Sequence, residues 1–531
     1  MKYTRKIIAA LLCAAMLLSL CGCKGNSVID TISNLGKSDV DPGIDEIGFS
    51  IPYLRTDSLD PYKATGTMNK YLSVLIYDSL FRVDNSFKAE YLVAQSHTLS
   101  GNSLSVNIKS GLKFTDGTAL SAADVVYSFN LAKKSANYSF CLENIKSAAA
   151  NGNDCVVFTL SVANKNEISN LVFPIIKASS DVQTTESGQT DNDGDTTTVK
   201  TEYSSKIPVG SGRYTVVTGK ESKYLQVNKE RLGGYHPKYN KIGLVDVTDT
   251  KEYQSLFNLG EIDFYCDDFT SGKYTKFTEI DNTVTLTNFV YLGINSKNKV
   301  LSEPKVHRAM ALALDRTELS SVSFAGCAVA APLPFHPSYY ALGGCTLPTL
   351  KVKTDSSAEL LDEVGFSAIG DSGARYSEAG TLNLTLLVNS ENDFRRSLAR
   401  GIQQAFEKVN IKVTIREVSY SDYISAIESE SFDLYIGETR LSNDFGLSRF
   451  FASDGSLRYG IDSASKSAKL YNKYVTGEIN LQKFIDTFSD ELPFIPISFR
   501  SGIAVRSGKI KNDIATLPGD CFANIEEWTT Q

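Results

Sequence analysis

Apolar residues recur along this chain with two periods. Leu104, Val106 and Ile108 alternate with polar neighbours, the period of a strand with one buried face. A turn at Asp116-Gly117 follows, and Ser121 with Asp124 three residues on has the chemistry of a helix N-terminus, so a helix is expected from Ala122. Val306, Ala309, Met310 and Ala313 keep the i, i+3, i+4, i+7 spacing of a core-facing helix. Residues 384–388 read as a strand, Leu398, Ile402, Ala405, Phe406 and Val409 keep helical spacing, and Ile411, Val413 and Ile415 alternate again. That is a strand–helix–strand unit. A further strand at 432–436, after a helical stretch from Ser421, adds a second crossover. Successive right-handed crossovers build a mostly parallel sheet, so the C-terminal half is α/β.

Two segments break the globular pattern. Residues 178–206 have almost no apolar side chains and read as a solvated excursion. Their DNDGD run fails the EF-hand spacing: with Gly194 at loop position 6, Lys200 stands where a bidentate Glu is needed. At the other end, Lys2, Arg5 and Lys6 precede an apolar stretch, residues 7–20, too short for the roughly 20 residues of a spanning helix. This reads as an export signal, residues 1–22. It ends in Leu20-Cys21-Gly22-Cys23, which resembles the lipobox of bacterial lipoproteins, with Cys23 as the lipid acceptor. Residues 23–45, rich in Ser, Asn, Asp and Gly, read as a flexible tether.

Composition narrows the function. At roughly 150 residues per domain, 531 residues make about three structural units, and 42% hydrophobic residues suffice for a substantial core. The net charge is −7; loss of the signal removes three cations and no acid, leaving −10. With no basic run, nucleic acid is excluded as a partner. The four His, with no two closer than 29 residues, supply no local metal motif. No HExxH, nucleophile elbow or phosphate loop is present, and Asp267-Asp268 is a neighbouring pair on a polar turn, so no enzyme is expected. No cofactor is expected either. Six cysteines remain beyond Cys23: Cys141, Cys155, Cys266, Cys327, Cys345 and Cys521. They are either paired, with Cys141–Cys155 and Cys327–Cys345 closest in sequence, or free buried thiols.

An ordered series of segments carries a family resemblance. Residues 110–133, SGLKFTDGTALSAADVVYSFNLAK, are similar to a signature block of the bacterial extracellular solute-binding proteins of family 5, with Thr115 at the family's His position. Ser58-Leu59-Asp60-Pro61 and Ile76-Tyr77-Asp78-Ser79-Leu80 match upstream blocks, and residues 208–214, 260–263, 304–319 and 360–366 match downstream ones in order. The resemblance implies a two-lobed periplasmic-binding-protein-like α/β fold of type II, with mixed sheets and an extra subdomain. Lobe I would comprise residues 46–69, 207–288 and 499–531, the subdomain 70–206 and lobe II 289–498, with hinge strands near 289–295 and 493–499. It also implies capture of a solute for ABC permease subunits by a monomer held on the extracytoplasmic face of the membrane by lipid. A peptide or peptide-like solute ranks first, an oligosaccharide second and a metal chelate, served by His336, third. A sensing lipoprotein not coupled to transport is the remaining reading.

Peptide-binding members hold the ammonium group with an Asp shortly after a Trp. Here Glu438 stands at the Trp position and Leu441 at the Asp position, so Glu438 or Asp444 would have to substitute. Aromatic residues available for a cleft floor are Tyr53, Tyr291, Phe335, Tyr339 and Tyr435, since the lone Trp528 lies in the tail. The candidate ligand residues are Tyr53, Asp57, Tyr291, Asn389, Tyr435, Glu438, Arg440 and Asp444.

Overall fold

Two long antiparallel strands, Asn282–Ile294 and Phe494–Arg506, hold the architecture together. The first is buried on both faces from Phe289 to Ile294 and the second along nearly its whole length, and they form the centre of a seven-stranded mixed sheet. Strand Phe264–Asp267 flanks them on one side; Leu434–Arg440, Asn383–Asn389 and Lys412–Val418 follow on the other. A computed structural model describes residues 44–178, 185–190, 196–201, 207–219, 222–269, 271–273, 281–462 and 464–530, with backbone alone for the strands at 185–190 and 196–201. Cys23, the signal and the DNDGD run lie outside the described residues.

The C-terminal crossovers form as the periodicity predicts. Strand Asn383–Asn389, helix Asp393–Glu407 and strand Lys412–Val418 make a parallel unit, and Leu434–Arg440 joins it in parallel after helix Tyr420–Glu428. Helix Pro304–Ala313 buries Val306, Ala309, Met310 and Ala313 together. Helix Ala122–Ala132 begins where expected: the Ser121 backbone N–H donates to Asp124 Oδ2 at 2.9 Å, closing a capping box. Gly117 sits at φ +81°, the left-handed conformation its turn requires.

A second four-stranded sheet packs against the first core. In it strand Ile44–Leu54 pairs in parallel with Tyr239–Val247, and Lys223–Val227 and Tyr214–Thr218 continue antiparallel. The C-terminal tail closes over this region, burying Trp528 completely against Phe49, Phe264 and Phe522. A separate hydrophobic core, running from Leu80 to Ile175, fills the space between an antiparallel four-stranded sheet and helix Ala122–Ala132. The expected start of the subdomain at residue 70 falls inside helix Thr67–Ile76, whose Met68, Leu72 and Leu75 belong to the larger core. The described residues pack as one compact unit.

All six described cysteines are free. The two pairs nearest in sequence are not bonded; the thiols that meet are those of Cys266 and Cys521, brought together by the tail. His336 is 5% exposed among the rings of Phe87, Phe445 and Phe499, and burial lowers its pKa to about 4. Among the described residues no group of three metal-ligating side chains exists.

Candidate functional site

A cavity of about 400 Å³ opens between the two cores. One wall is helix Thr67–Ile76, which turns Thr67, Lys70, Tyr71 and Val74 toward it, the i, i+3, i+4, i+7 face of a helix. The Leu80–Ile175 module supplies Tyr138, Phe140 and Cys141, and the C-terminal tail supplies residues 518–520. The remaining wall is the long strand Asn282–Ile294. Its residues 288–294 pair with Leu434–Arg440, but no strand continues that ladder before Asn288. The ladder on its other side shifts register between Thr285 and Phe289. Thr285, Leu286, Thr287 and Asn288 therefore face the cavity at an interruption in the sheet. Within it Thr285 still pairs with Ser501, Asn288 with Arg440, and the Leu441 N–H donates to the Thr287 carbonyl at 3.0 Å, so the break is confined to Leu286 and Thr287.

Charges around the cavity are mostly paired. Arg213 reaches Asp520 at 3.0 Å and Arg231 reaches Asp78 at 2.8 Å. Burial pushes the Asp78 carboxyl up, against the attraction of Arg231. Asp268 accepts from Thr67 Oγ1 at 2.9 Å. Arg440, at the end of strand Leu434–Arg440, lays its guanidinium 4.3 Å over the Phe140 ring. Burial raises the nearby Cys141 thiol to about 12, with Arg440 pulling it back.

Behind this wall lies a buried ionic cluster. Glu438 takes Arg395 and Arg500, each at 3.2 Å, and the Asn288 amide at 3.2 Å. Burial alone would push this carboxyl up; the two arginines hold it below its ordinary value. A second contact joins the Leu80–Ile175 module to the loop after Arg440. There Asn164 donates to Asp444 at 2.7 Å and to Glu167 at 3.3 Å, and Asn443 Nδ2 donates to the Ser169 carbonyl at 2.8 Å.

Of the eight residues expected from sequence, Arg440 alone lines the large cavity. Tyr53 is buried in the four-stranded sheet, its hydroxyl accepting from Lys223 at 2.8 Å. Asp57 caps the Thr65 and Gly66 amides, and Asn389 accepts from the Glu391 amide. Tyr291 and Tyr435 each cover a glycine across the ladder. Tyr291 opposes Gly437 and Tyr435 opposes Gly293, and a Cβ on either glycine would come within 2.2 and 2.0 Å of the opposing ring. Their rings thus belong to the core, which is also why glycine stands at 437. Glu438 has its acceptor sites filled by protein donors, and Asp444 lines a smaller neighbouring pocket while accepting from Ser442 and Asn164. Phe335 and Tyr339 are buried as well.

Lys70, Tyr71, Phe140, Asn288 and Asn443 line the cavity and were not singled out from sequence. The helical spacing of Thr67, Lys70, Tyr71 and Val74 was a usable signal for two of them. Phe140 and Asn288 carried none, because their approach to Arg440 depends on how the two cores pack.

Known proteins share this architecture. The oligopeptide-binding protein AppA of Bacillus subtilis (strain 168) is 24% identical over 373 residues, 68% of this chain and 66% of its own length, just under two thirds. The glutathione-binding protein GsiB of Escherichia coli (strain K12) is 25% identical over 390 residues, 70% of each chain. In three dimensions the Bacillus subtilis AppA structure in complex with a nonapeptide gives a TM-score of 0.58 at 20% identity, covering 92% of this chain and 100% of that one. NikA from Brucella suis in complex with Fe(III)-EDTA gives 0.67 at 18% identity, covering 92% and 100%. The fold is the mixed α/β fold of the type II periplasmic binding proteins. Residues 88–456 match the family described as bacterial extracellular solute-binding proteins, family 5 Middle, and the chain belongs to that family.

Proposed function

We propose that this chain captures a peptide or peptide-like solute outside the cytoplasm and delivers it to an ABC permease. The observation that carries the reading is the cavity at the interrupted strand. Its about 400 Å³ falls within the range of small-ligand pockets, roughly 300–1,000 Å³. Leu286 and Thr287 stand at the gap in the ladders, Thr285 and Asn288 flank it, and Tyr71, Tyr138 and Phe140 offer aromatic surface. The names of the relatives AppA and GsiB point to peptides and glutathione, a peptide-like thiol. The protein is a binder and not an enzyme in this reading, and it acts as a monomer.

Lobe closure supplies the coupling. With lobe I at residues 46–69, 207–288 and 499–531, its extra subdomain at 70–206 and lobe II at 289–498, the chain crosses on the two long paired strands. Rotation about them breaks few contacts. A solute that touches both sides only when they are shut stabilises the closed form. Cys23 carries the lipid, and residues 24–45 tether the fold to the outer face of the membrane.

The test is mass spectrometry of ligand co-purified with the mature protein, followed by a thermal-shift screen, since a bound solute raises apparent stability by RT ln(1 + [L]/Kd). Short peptides are expected to raise Tm. If dipeptides through hexapeptides leave Tm unchanged while a cello- or xylo-oligosaccharide raises it, the peptide reading falls.

A further inference from the structure

Five cations and four acids line the cavity, and among the described residues two of the cations stand outside any ion pair. Arg213 and Arg231 are committed to Asp520 and Asp78, and Arg82 pairs with Glu90 at 2.8 Å. Lys70 and Arg440 remain, and among the described residues neither forms an ion pair. Two further acids face the cavity, but each has a hydroxyl donor of its own: Thr67 for Asp268, and Tyr235 at 3.4 Å for Glu526.

Arg440 is the better defined of the two cations. Its guanidinium carbon lies 4.3 Å from the centre of the Phe140 ring, a cation–π contact that restrains the side chain. No described residue accepts a hydrogen bond from the guanidinium, and Arg440 as a whole is exposed. A planar fork held in this way matches a carboxylate bidentately. Its neighbours agree in sign. Leu441, where the family pattern has its ammonium-binding acid, is 2% exposed and packed in the core. Glu438 is already neutralised by Arg395 and Arg500, and of the acids that share the smaller pocket with Arg440, Glu143 pairs with Arg449 at 3.6 Å and Asp444 accepts from Ser442 and Asn164.

We infer that Arg440, oriented by Phe140 and assisted by the field of Lys70, is the specificity-determining anchor for a carboxylate on the solute. The protein selects anionic over neutral or cationic versions of the same ligand, inverting the charge preference at this point of the cleft. The inference rests on the reading above only for the location of the site. A peptide terminus, an acidic side chain and a sugar acid all present this carboxylate, and the chemistry at Arg440 is the same for each.

The experiment is calorimetric titration and thermal shift of the full mature protein with matched pairs. One arm uses short peptides as free acids and as C-terminal amides, a second uses peptides with Glu or Gln side chains, and a third uses neutral and uronic-acid-bearing oligosaccharides. In at least one arm the acid is expected to bind about tenfold to a hundredfold more tightly than its neutral partner, the worth of charge-assisted hydrogen bonds. Arg440→Gln should abolish that discrimination while leaving the Tm of the ligand-free protein unchanged, because the side chain is exposed. Arg440→Lys should retain only part of it, having the charge without the fork. Equal binding of acid and neutral partners in every arm, or discrimination that survives Arg440→Gln, overturns the inference. Peptides that bind with no carboxylate preference remove the anchor and leave the peptide reading intact. Uronate-bearing sugars that bind with preference, where peptides do not, remove the peptide reading and leave the anchor.

Discussion

Glu438 illustrates what one residue can change. Its side chain is 7% exposed and balances two arginines, Arg395 and Arg500, from elements 43 and 62 residues away. Neutralising it leaves both guanidinium groups buried without their counter-charge. Removing one partner of a buried ion pair typically costs about 3–5 kcal/mol. Glu438→Gln is therefore expected to destabilise the protein by about that amount in urea unfolding, a loss that a solvated surface residue would not produce. The cysteines give a second test at this scale. Cys141, Cys266, Cys327 and Cys521 are buried and burial raises all four thiols, whereas Cys155 and Cys345 are partly exposed. A thiol reagent followed by mass spectrometry should label Cys155 and Cys345 in the native protein and all six after denaturation. The cysteines are legible in the sequence but their neighbours are not: Cys266 and Cys521 meet because a tail folds back, and residue spacing carries no information about that.

Elements were the most legible level. The strand–helix–strand unit at 383–418, the capping box at Ser121 and the core face of helix Pro304–Ala313 all follow from local periodicity and local hydrogen bonding. Ser121→Ala should lower stability by about 1 kcal/mol, read by chemical denaturation, since it removes an N-terminal cap. What periodicity does not reveal is how one element meets another. Glu167, in the short turn Glu167–Asn170, faces Asp444 across the contact between module and loop, with Asn144, Asn164 and Asn170 around it. Burial first and the Asp444 charge second raise its pKa from 4.5 to about 7. A group whose folded pKa is raised contributes stability that is fully present below its unfolded value and is lost as pH rises through the folded one. The contact should thus weaken between about pH 4.5 and 7. The Tm should fall over that interval more steeply in the native protein than in Glu167→Gln, measured by calorimetry across the pH series.

For the whole molecule, the expected crossing segments near 289–295 and 493–499 lie within two strands that pair with one another at the centre of the largest sheet. In the proposed reading these strands carry the hinge and Cys23 carries the lipid. Cys23→Ser should abolish the acyl mass increment and release the protein from the membrane fraction, while peptide binding by the purified protein persists. Among the described residues no helix is long and apolar enough to cross a membrane.

The sequence by itself determined the alternation of strands and helices, the α/β character of the C-terminal half, the order of family blocks and hence the fold, because these depend on short-range spacing and on which side chains avoid water. The binding wall was decided by tertiary structure. Aromatic residues and carboxylates that looked available, such as Tyr291, Tyr435 and Glu438, are consumed by glycine-covering and charge-balancing contacts across strands. Arg440 lines the cavity at the end of its strand, with Phe140, 300 positions earlier, packed against it. Spacing along a chain fixes which face a residue occupies; whether its charge is already satisfied depends on partners that only the folded chain brings within reach.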